Sequence, residues 1–289
     1  MKTEIIAEVG ECFNGDFDRA LEMIDIAKKC GCDTVKFQLL DMNEVAEDDP
    51  EYEWFEKLEL TSDKVKKLIE RADEDEIGIL FTPVSVRTAE WLVEANQEIV
   101  KIASSFVGKT ELLRYISENF TTVYASTGMA SIDEINSMLA VLKNKDIKLL
   151  HCISEYPTGP LLEKRGLKAL DEDDAHLEMM TMMKDLYKKT AIGYSDHTND
   201  IFVPVVAAAM GAEIIEKHFT LDRKTPVEHY NNGLEYLGTD HVLSVEPNQM
   251  EEMVKNIRRV ERIRGNRIWD RSEGEKILMG FLHGRYQER

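Results

Sequence analysis

A (β/α)8 barrel is the fold class this sequence predicts, and three observations carry the prediction. Eight short apolar runs alternate with amphipathic helical segments along nearly all of the 289 residues. Strands joined by single crossover helices pair in parallel with right-handed connections. No Gly-x-Gly-x-x-Gly follows the first run, which disfavours an open dinucleotide-binding sheet. A barrel of this kind takes roughly 250 residues. The chain therefore divides into a barrel over 1–264 and a C-terminal tail over 265–289, a single domain with a short extension and no second domain.

The strand candidates are "EIIAEV" (4–9), "DTVKFQ" (33–38), "IGILFTP" (77–83) and "IVKIAS" (99–104), then "TTVYAS" (121–126), "IKLLHCIS" (147–154), "AIGYS" (191–195) and "AEIIEKHF" (212–219). Between them lie helical patterns. In "FDRALEMIDIAKKCG" the residues Leu21, Ile24 and Ala27 recur at helical spacing, and Gly31 follows where a helix closes. "LTSDKVKKLIERAD", "NDIFVPVVAAAMG" and "QMEEMVKNIRRVERI" read the same way. "SIDE" (131–134) is a capping box that places Ser131 at the N-cap and Glu134 three residues on. Two stretches break the rhythm: a long loop after the eighth strand, 223–246, and the tail, where Trp269, Phe281 and Tyr286 sit among arginines. The expectation is a homodimer, with the loop 223–239 folding over the barrel mouth as a lid and the tail available to dock on a neighbouring barrel.

Hydrophobic residues make up 43% of the chain, enough for a globular core. No run approaches the roughly 18 apolar residues of a membrane span, and "MKTEIIAEVG" lacks the layout of a signal peptide. Four cysteines in a chain of this length do not build a disulfide framework, and Cys30-Gly31-Cys32 alone is too little for a metal site. The compartment expected is a reducing cytoplasm. Thirty-six Lys and Arg stand against 55 Asp and Glu, a net charge of −19. Such a surface repels nucleic acid and anionic membranes, so an anionic substrate needs its own cationic pocket.

Barrel enzymes place their chemistry at the C-terminal ends of the strands. Reading only those ends gives Glu8, Lys36, Gln38, Thr82, Lys101, Ser104, Ser126, Ser154, Ser195, His197 and His218. Lysines and hydroxyls converging on one mouth suit an oxyanion-rich ligand. A buried lysine needs a counter-charge, which is either an internal carboxylate or a bound anion. His197 and His218 stand 21 residues apart, about one strand–helix unit, so both imidazoles reach one small volume. Two imidazoles are too few for a closed structural zinc site. They suit a divalent ion that keeps positions open for substrate oxygens, Mn²⁺ or Mg²⁺.

With these residues in view, the chain resembles the sialic acid synthase family. The pieces that carry the resemblance are "IIAEVG", "DTVKFQ", "FTP", "VKIAS", "ASTGMAS", "LLHCISEYPT", "IGYSDHT", "GAEIIEKHFTLD" and "DHVLSVEP", in family order over roughly 4–260. The resemblance implies a metal-dependent, C–C bond-forming synthase that condenses phosphoenolpyruvate with an open-chain amino sugar. The product is a sialic acid-like 2-keto acid, released with phosphate. It implies that Lys36, Thr82, Lys101, Ser104, Ser126, Ser154 and Ser195 bind phosphoenolpyruvate and that His197 and His218 hold the metal, most simply Mn²⁺. It also implies that Glu8, Gln38, Tyr156 and Asp240 contact the sugar.

The sequence departs from the family at four places. Cys12-Phe13-Asn14-Gly15 stands where the family has Asn-His-x-Gly, and Phe106 stands where an acid is common. The loop at 223–239 is longer, and the C-terminal antifreeze-like domain is not in this sequence. The phosphoenolpyruvate and metal half is intact while the sugar half is altered. Two alternatives stay open: a synthase for a different aldehyde, and a catalytically silent barrel serving as a partner subunit.

Overall fold

The computed structural model describes residues 2–49, 52–143, 145–155, 170–224, 230–231, 234–235, 239–265 and 270–285. Eight parallel strands form the sheet: β1 (Glu4–Glu8), β2 (Thr34–Leu39), β3 (Gly78–Pro83), β4 (Ile99–Ile102), β5 (Thr122–Ser126), β6 (Asp146–Cys152), β7 (Ala191–Asp196) and β8 (Ile214–His218). Their order is β3-β2-β1-β8-β7-β6-β5-β4, with β3 and β4 lying side by side at the seam. All eight expected strands are present, each within three residues of its expected bounds. The helices expected from the apolar period are there too, at Phe17–Lys29, Ser62–Glu74, Ile132–Val141, Phe202–Ala209 and Pro247–Arg264. Ser131 caps the third of these, its hydroxyl accepting from the Glu134 amide while the Glu134 carboxylate accepts from Ser131.

Parallel strands under helices are covered on both faces, so they read as nearly continuous apolar runs rather than as clean alternation. The alternation reappears in what each face meets. Residues such as Ile5, Val35, Phe37, Val123 and Ile215 point outward into the main core against the helices. Ile6, Leu80, Tyr124, Leu150 and Ile214 point inward and fill the lumen as a separate small cluster. Below that plug a polar set closes the N-terminal end: Glu4 accepts from Thr34 (3.0 Å) and Tyr124 (2.8 Å), and Lys148 donates to Tyr124 (2.7 Å). The lumen therefore has an open end only at the C-terminal ends of the strands.

The outward faces of β7 and β8 carry a second feature that fixes this mouth. Asp196 and Lys217 are wholly buried and form an ion pair at 2.6 Å. Tyr194 Oη (2.9 Å) and the Thr198 hydroxyl (3.0 Å) also donate to Asp196, and Lys217 donates to the Thr198 carbonyl. This clamp ties the turn after β7 to the end of β8, and the residues next along the chain are His197 and His218.

Several expectations fall on residues that are not described. Tyr156 and most of the loop expected to form a lid lie outside the described residues, as do Trp269 and Tyr286. Within the tail, Glu273–Arg285 is a helix on which Ile277, Leu278 and Phe281 are exposed. No described helix is long and apolar enough to cross a membrane. None of the four cysteines forms a disulfide.

Two substitutions test how the strands hold the mouth. A Cβ on Gly193 would lie 2.6 Å from the Ile214 carbonyl oxygen and 2.7 Å from its Cβ. Gly193→Ala should therefore force β7 from β8 and cost about 1–3 kcal/mol in urea denaturation. Lys217→Met strands a buried carboxylate and should cost about 3–5 kcal/mol. Adding Asp196→Asn removes the stranded charge and should recover part of that loss; no recovery would show that the pair does not act as a unit.

Candidate functional site

Register brings the strand-end residues together. Glu8 stands opposite Lys36 on β2 and opposite His218 on β8; Gln38 pairs with Thr82, and Ser195 with Glu216. Each of these side chains faces the lumen, because the inward set recurs every second residue above Ile6, Leu80 and Ile214. The cavity they enclose also takes in Lys101, Ser104, Ser126, Cys152 and His197. Of the strand-end residues read from the sequence, all but Ser154 line it directly, and Ser154 is joined to it through Ser104 at 2.7 Å. The free space is about 40 Å³, little more than one water's share of the liquid.

The space is small because charges fill it. Lys36 Nζ lies 3.1 Å from Glu8 Oε2 and 3.1 Å from Glu216 Oε2. Lys101 Nζ lies 2.9 Å from both Glu216 oxygens, and Ser195 donates to Glu216 at 2.8 Å. Gln38 donates to the other Glu8 oxygen at 3.0 Å. The two buried lysines thus find counter-charges inside the chain, and their burial does not by itself require a bound anion. Sequence reasoning missed Glu216, the carboxylate that joins them. The signal was available: Glu216 is two residues before His218 on one strand, so both must face the same side.

The environment sets the charge states. Burial opposes the Glu216 carboxylate, but Lys101 and Lys36 outweigh it and hold its pKa well below the usual range. Burial likewise opposes the Lys36 cation and is outweighed by Glu216 and Glu8, so Lys36 stays charged. For Lys101 burial wins over Glu216, with Lys36 adding to it, and its pKa falls to about 8. Burial raises Glu8 against the pull of Lys36. Among the described residues the Ser126 hydroxyl is buried here with no hydrogen-bond partner, a donor facing the cavity.

The two imidazoles face each other with ring centroids 5.3 Å apart. His197 Nδ1 is 2.8 Å from the Ile153 carbonyl, which can only accept, so Nδ1 carries a proton and Nε2 faces away from it. Burial disfavours the imidazolium, but the Cys152 sulphur and the Ile153 carbonyl lift the His197 pKa to about 9. A cation bound at Nε2 has to displace that proton. Burial, His197 and Lys36 keep His218 neutral, the form that ligates a metal.

Among the described residues no group of three or more His, Cys, Asp or Glu is arranged to hold a metal. The donor set on offer is the histidine pair, which fits an ion that takes its other ligands from water and substrate. Asp240 sits beside it, its Oδ1 3.8 Å from His218 Nδ1 and its Oδ2 accepting from the Glu11 amide at 2.8 Å. That approach depends on Gly10, which has φ +49° and where any Cβ would collide with the Asp240 carboxylate. Burial raises Asp240 to about 7, although the Glu11 amide pulls the other way.

A buried mouth with two lysines, convergent hydroxyls, a histidine pair and a carboxyl group poised near neutrality can hold an oxyanion beside an activated electrophile and move a proton between them. A model of the NeuB family matches residues 23–268, which include both lysines, Glu216, both histidines and Asp240. The chain is 38% identical to an uncharacterized protein of Methanocaldococcus jannaschii, over 96% of this chain and 74% of that protein. It is 33% identical to the N,N'-diacetyllegionaminic acid synthase of Campylobacter jejuni, over 95% of this chain and 81% of that enzyme. Among solved structures, the N-acetylneuraminic acid (sialic acid) synthetase of Leptospira borgpetersenii in complex with citrate superposes with a TM-score of 0.86 at 30% identity, covering 100% of this chain and 94% of that one. With the family model spanning most of the chain and a relative 38% identical over 96% of it, the chain belongs to the NeuB family.

Proposed function

We propose that this barrel joins C3 of phosphoenolpyruvate to the aldehyde carbon of an open-chain amino sugar, giving a nonulosonic 2-keto acid and phosphate. The observation that carries the reading is one cavity lined by Lys36, Lys101 and the unpartnered Ser126 hydroxyl and closed on one side by the His197–His218 pair. The likeness to a legionaminic acid synthase and a sialic acid synthetase supports the same reaction class.

The anion enters by re-pairing charge. Lys36 and Lys101 turn part of their donor capacity from Glu216 to phosphate and carboxylate oxygens. Thr82, Ser104, Ser126, Ser154 and Ser195 complete the donor ring. This fixes the enol so that C3 lies within reach of the acceptor, the positional advantage of a bound pair. His197 and His218 would hold a divalent cation, Mn²⁺ or Mg²⁺, whose chemistry there is to polarise the acceptor's carbonyl. Asp240, with its pKa near 7, donates the proton that the new hydroxyl needs. Glu8, tied to Lys36 and Gln38, orients the sugar. C3 bonds to the aldehyde carbon, water adds at C2 and returns a proton to Asp240, and the C2–O bond to phosphorus-bound oxygen breaks as the C2 hydroxyl passes its proton to the departing phosphate and becomes the ketone. A homodimer in the cytoplasm completes the reading.

Incubation with phosphoenolpyruvate, Mn²⁺ and a panel of amino-sugar aldehydes should release phosphate. Failure to release phosphate with any acceptor would favour a silent barrel instead. His197→Ala and His218→Ala should abolish turnover with folding retained, and chelation should do so reversibly. Lys36→Ala or Lys101→Ala should each weaken phosphoenolpyruvate binding by roughly tenfold to a hundredfold, since each removes a charge-assisted contact of about 1.5–3 kcal/mol.

The depressed pKa of Lys101 adds a pH signature. Below about 8 the ammonium is already present and the anion binds without gaining a proton there. Above it Lys101 is increasingly neutral, so binding must draw a proton from solvent and affinity falls as pH rises. Calorimetry at pH 9 in two buffers of different ionisation enthalpy should show proton uptake that Lys101→Ala abolishes; identical heats would refute the assignment.

A further inference from the structure

Among the described residues, the large apolar side chains that stand exposed gather in two places. One is a groove of about 910 Å³ on the flank of the barrel, where the helices Ile132–Val141 and Glu178–Leu186 lie. Met129, Ile132, Met179, Met182 and Leu186 line it, and each is between 37% and 72% exposed. Cys152 and Ile153 form part of its wall. Cys152 also lines the charged cavity, and the Ile153 carbonyl holds His197. The groove therefore backs onto the histidine pair.

The other place is the C-terminal helix Glu273–Arg285. Ile277, Leu278, Phe281 and Leu282 recur there at the spacing of one helical face. Ile277 is 77% exposed and Leu278 52%, so the barrel of the same chain does not cover that face. Thirteen residues that include Gly274, Gly280 and Gly284 make a poor isolated helix. Lengths below about 12–15 residues are marginal in water even for good helix formers, and glycine is a weak one. Such a helix needs a surface that packs on its apolar side.

The two places suit each other. An amphipathic helix laid in an apolar groove is a recurrent mode of recognition, and unbranched methionines let the groove adapt to the helix. One such contact is small, since a few aliphatic and aromatic side chains hide about 400 Å² of helix surface. Even with a like area of groove it falls short of the roughly 1,200–2,000 Å² of a stable interface. Two reciprocal contacts reach that size, and reciprocal exchange closes under two-fold symmetry where a one-way contact would propagate. An anionic membrane is a poor occupant for a chain of −19 net charge.

Resting on the homodimer of the proposed reading, we infer that the helix Glu273–Arg285 of one copy lies in the methionine-lined groove of a second copy, and that the exchange is mutual. Each helix then covers the flank that backs onto the other copy's histidine pair.

Light scattering of the full chain after gel filtration reads the assembly, and the unaltered protein should be a dimer. Leu278→Asp on the helix and Met182→Asp in the groove change exposed side chains, so folding should be retained, as circular dichroism will show. Each should weaken dimerisation at least about a hundredfold, because a two-fold dimer loses the contact twice. Leu278→Met should dimerise normally. Cross-linking reads the position, since the four native cysteines are buried. A chain with Leu278→Cys mixed with one bearing Met182→Cys should form a disulfide between copies that neither forms alone. A monomer at every concentration overturns the inference together with the homodimer. A dimer that both aspartates leave intact, or a disulfide formed by Leu278→Cys alone, overturns the inference and leaves the homodimer standing. A chain bearing both cysteine substitutions that closes its disulfide within one copy also overturns it. None of these readings uses phosphate release, so the condensation stands or falls separately.

Discussion

The site depends on the register between β7, β8 and β1. Ser195 stands opposite Glu216, Asp196 opposite Lys217, and Glu8 opposite His218. Because side chains alternate with a period of two, a slip of one residue on β8 would turn Glu216 and His218 outward and bring Lys217 into the lumen. The pairs of Glu216 with Lys36 and Lys101 and of Lys217 with Asp196 would then be lost together. The barrel suppresses such a slip, since β8 is paired with β1 on one side and β7 on the other and has no free edge along which to shift.

The two faces of β8 divide the work. Inward, Ile214, Glu216 and His218 rise from the apolar plug to the charged cavity. Outward, Ile215 packs under the helices, and Lys217 locks to Asp196 and the Thr198 carbonyl. A fixed outer face holds Glu216 and His218 in place, and through them a lumen of four charges and two imidazoles keeps one arrangement. Held only by loops, the same groups would have to be ordered by the ligand each time, and binding would be weaker for it.

The fold was legible because a parallel barrel writes its strands as apolar runs at regular intervals. The fold also marks its mouth, so reading only the C-terminal ends of the runs found nearly every residue that lines the cavity. Glu216 escaped because it lies one position before the strand's last two residues and looks like a polar interruption of "EIIEKHF". Its partner lysines were legible as buried cations, yet the sequence does not say which carboxylate meets which lysine; that follows from pairing across β8 and β1, which join distant parts of the chain. Asp240 was reached only through the resemblance, since no periodicity marks a residue that arrives from the segment after the eighth strand. Tyr156 and the expected lid fall outside the described residues.

Lys36, Lys101, Glu8 and Glu216 sum to zero charge, and all four side chains are buried. An anion admitted there upsets that electroneutrality, and the low local dielectric makes the imbalance costly at short range. A proton on a neighbouring carboxyl group, or the cation proposed for the imidazoles, would lift that imbalance. Under that proposal the two ligands are thermodynamically linked. Whatever factor the cation adds to anion affinity, the anion must return to the cation, because the coupling free energy is a single quantity shared between them. A chain of −19 net charge can in this way stay indifferent to most anions it meets and retain one only in the company of its counter-charge.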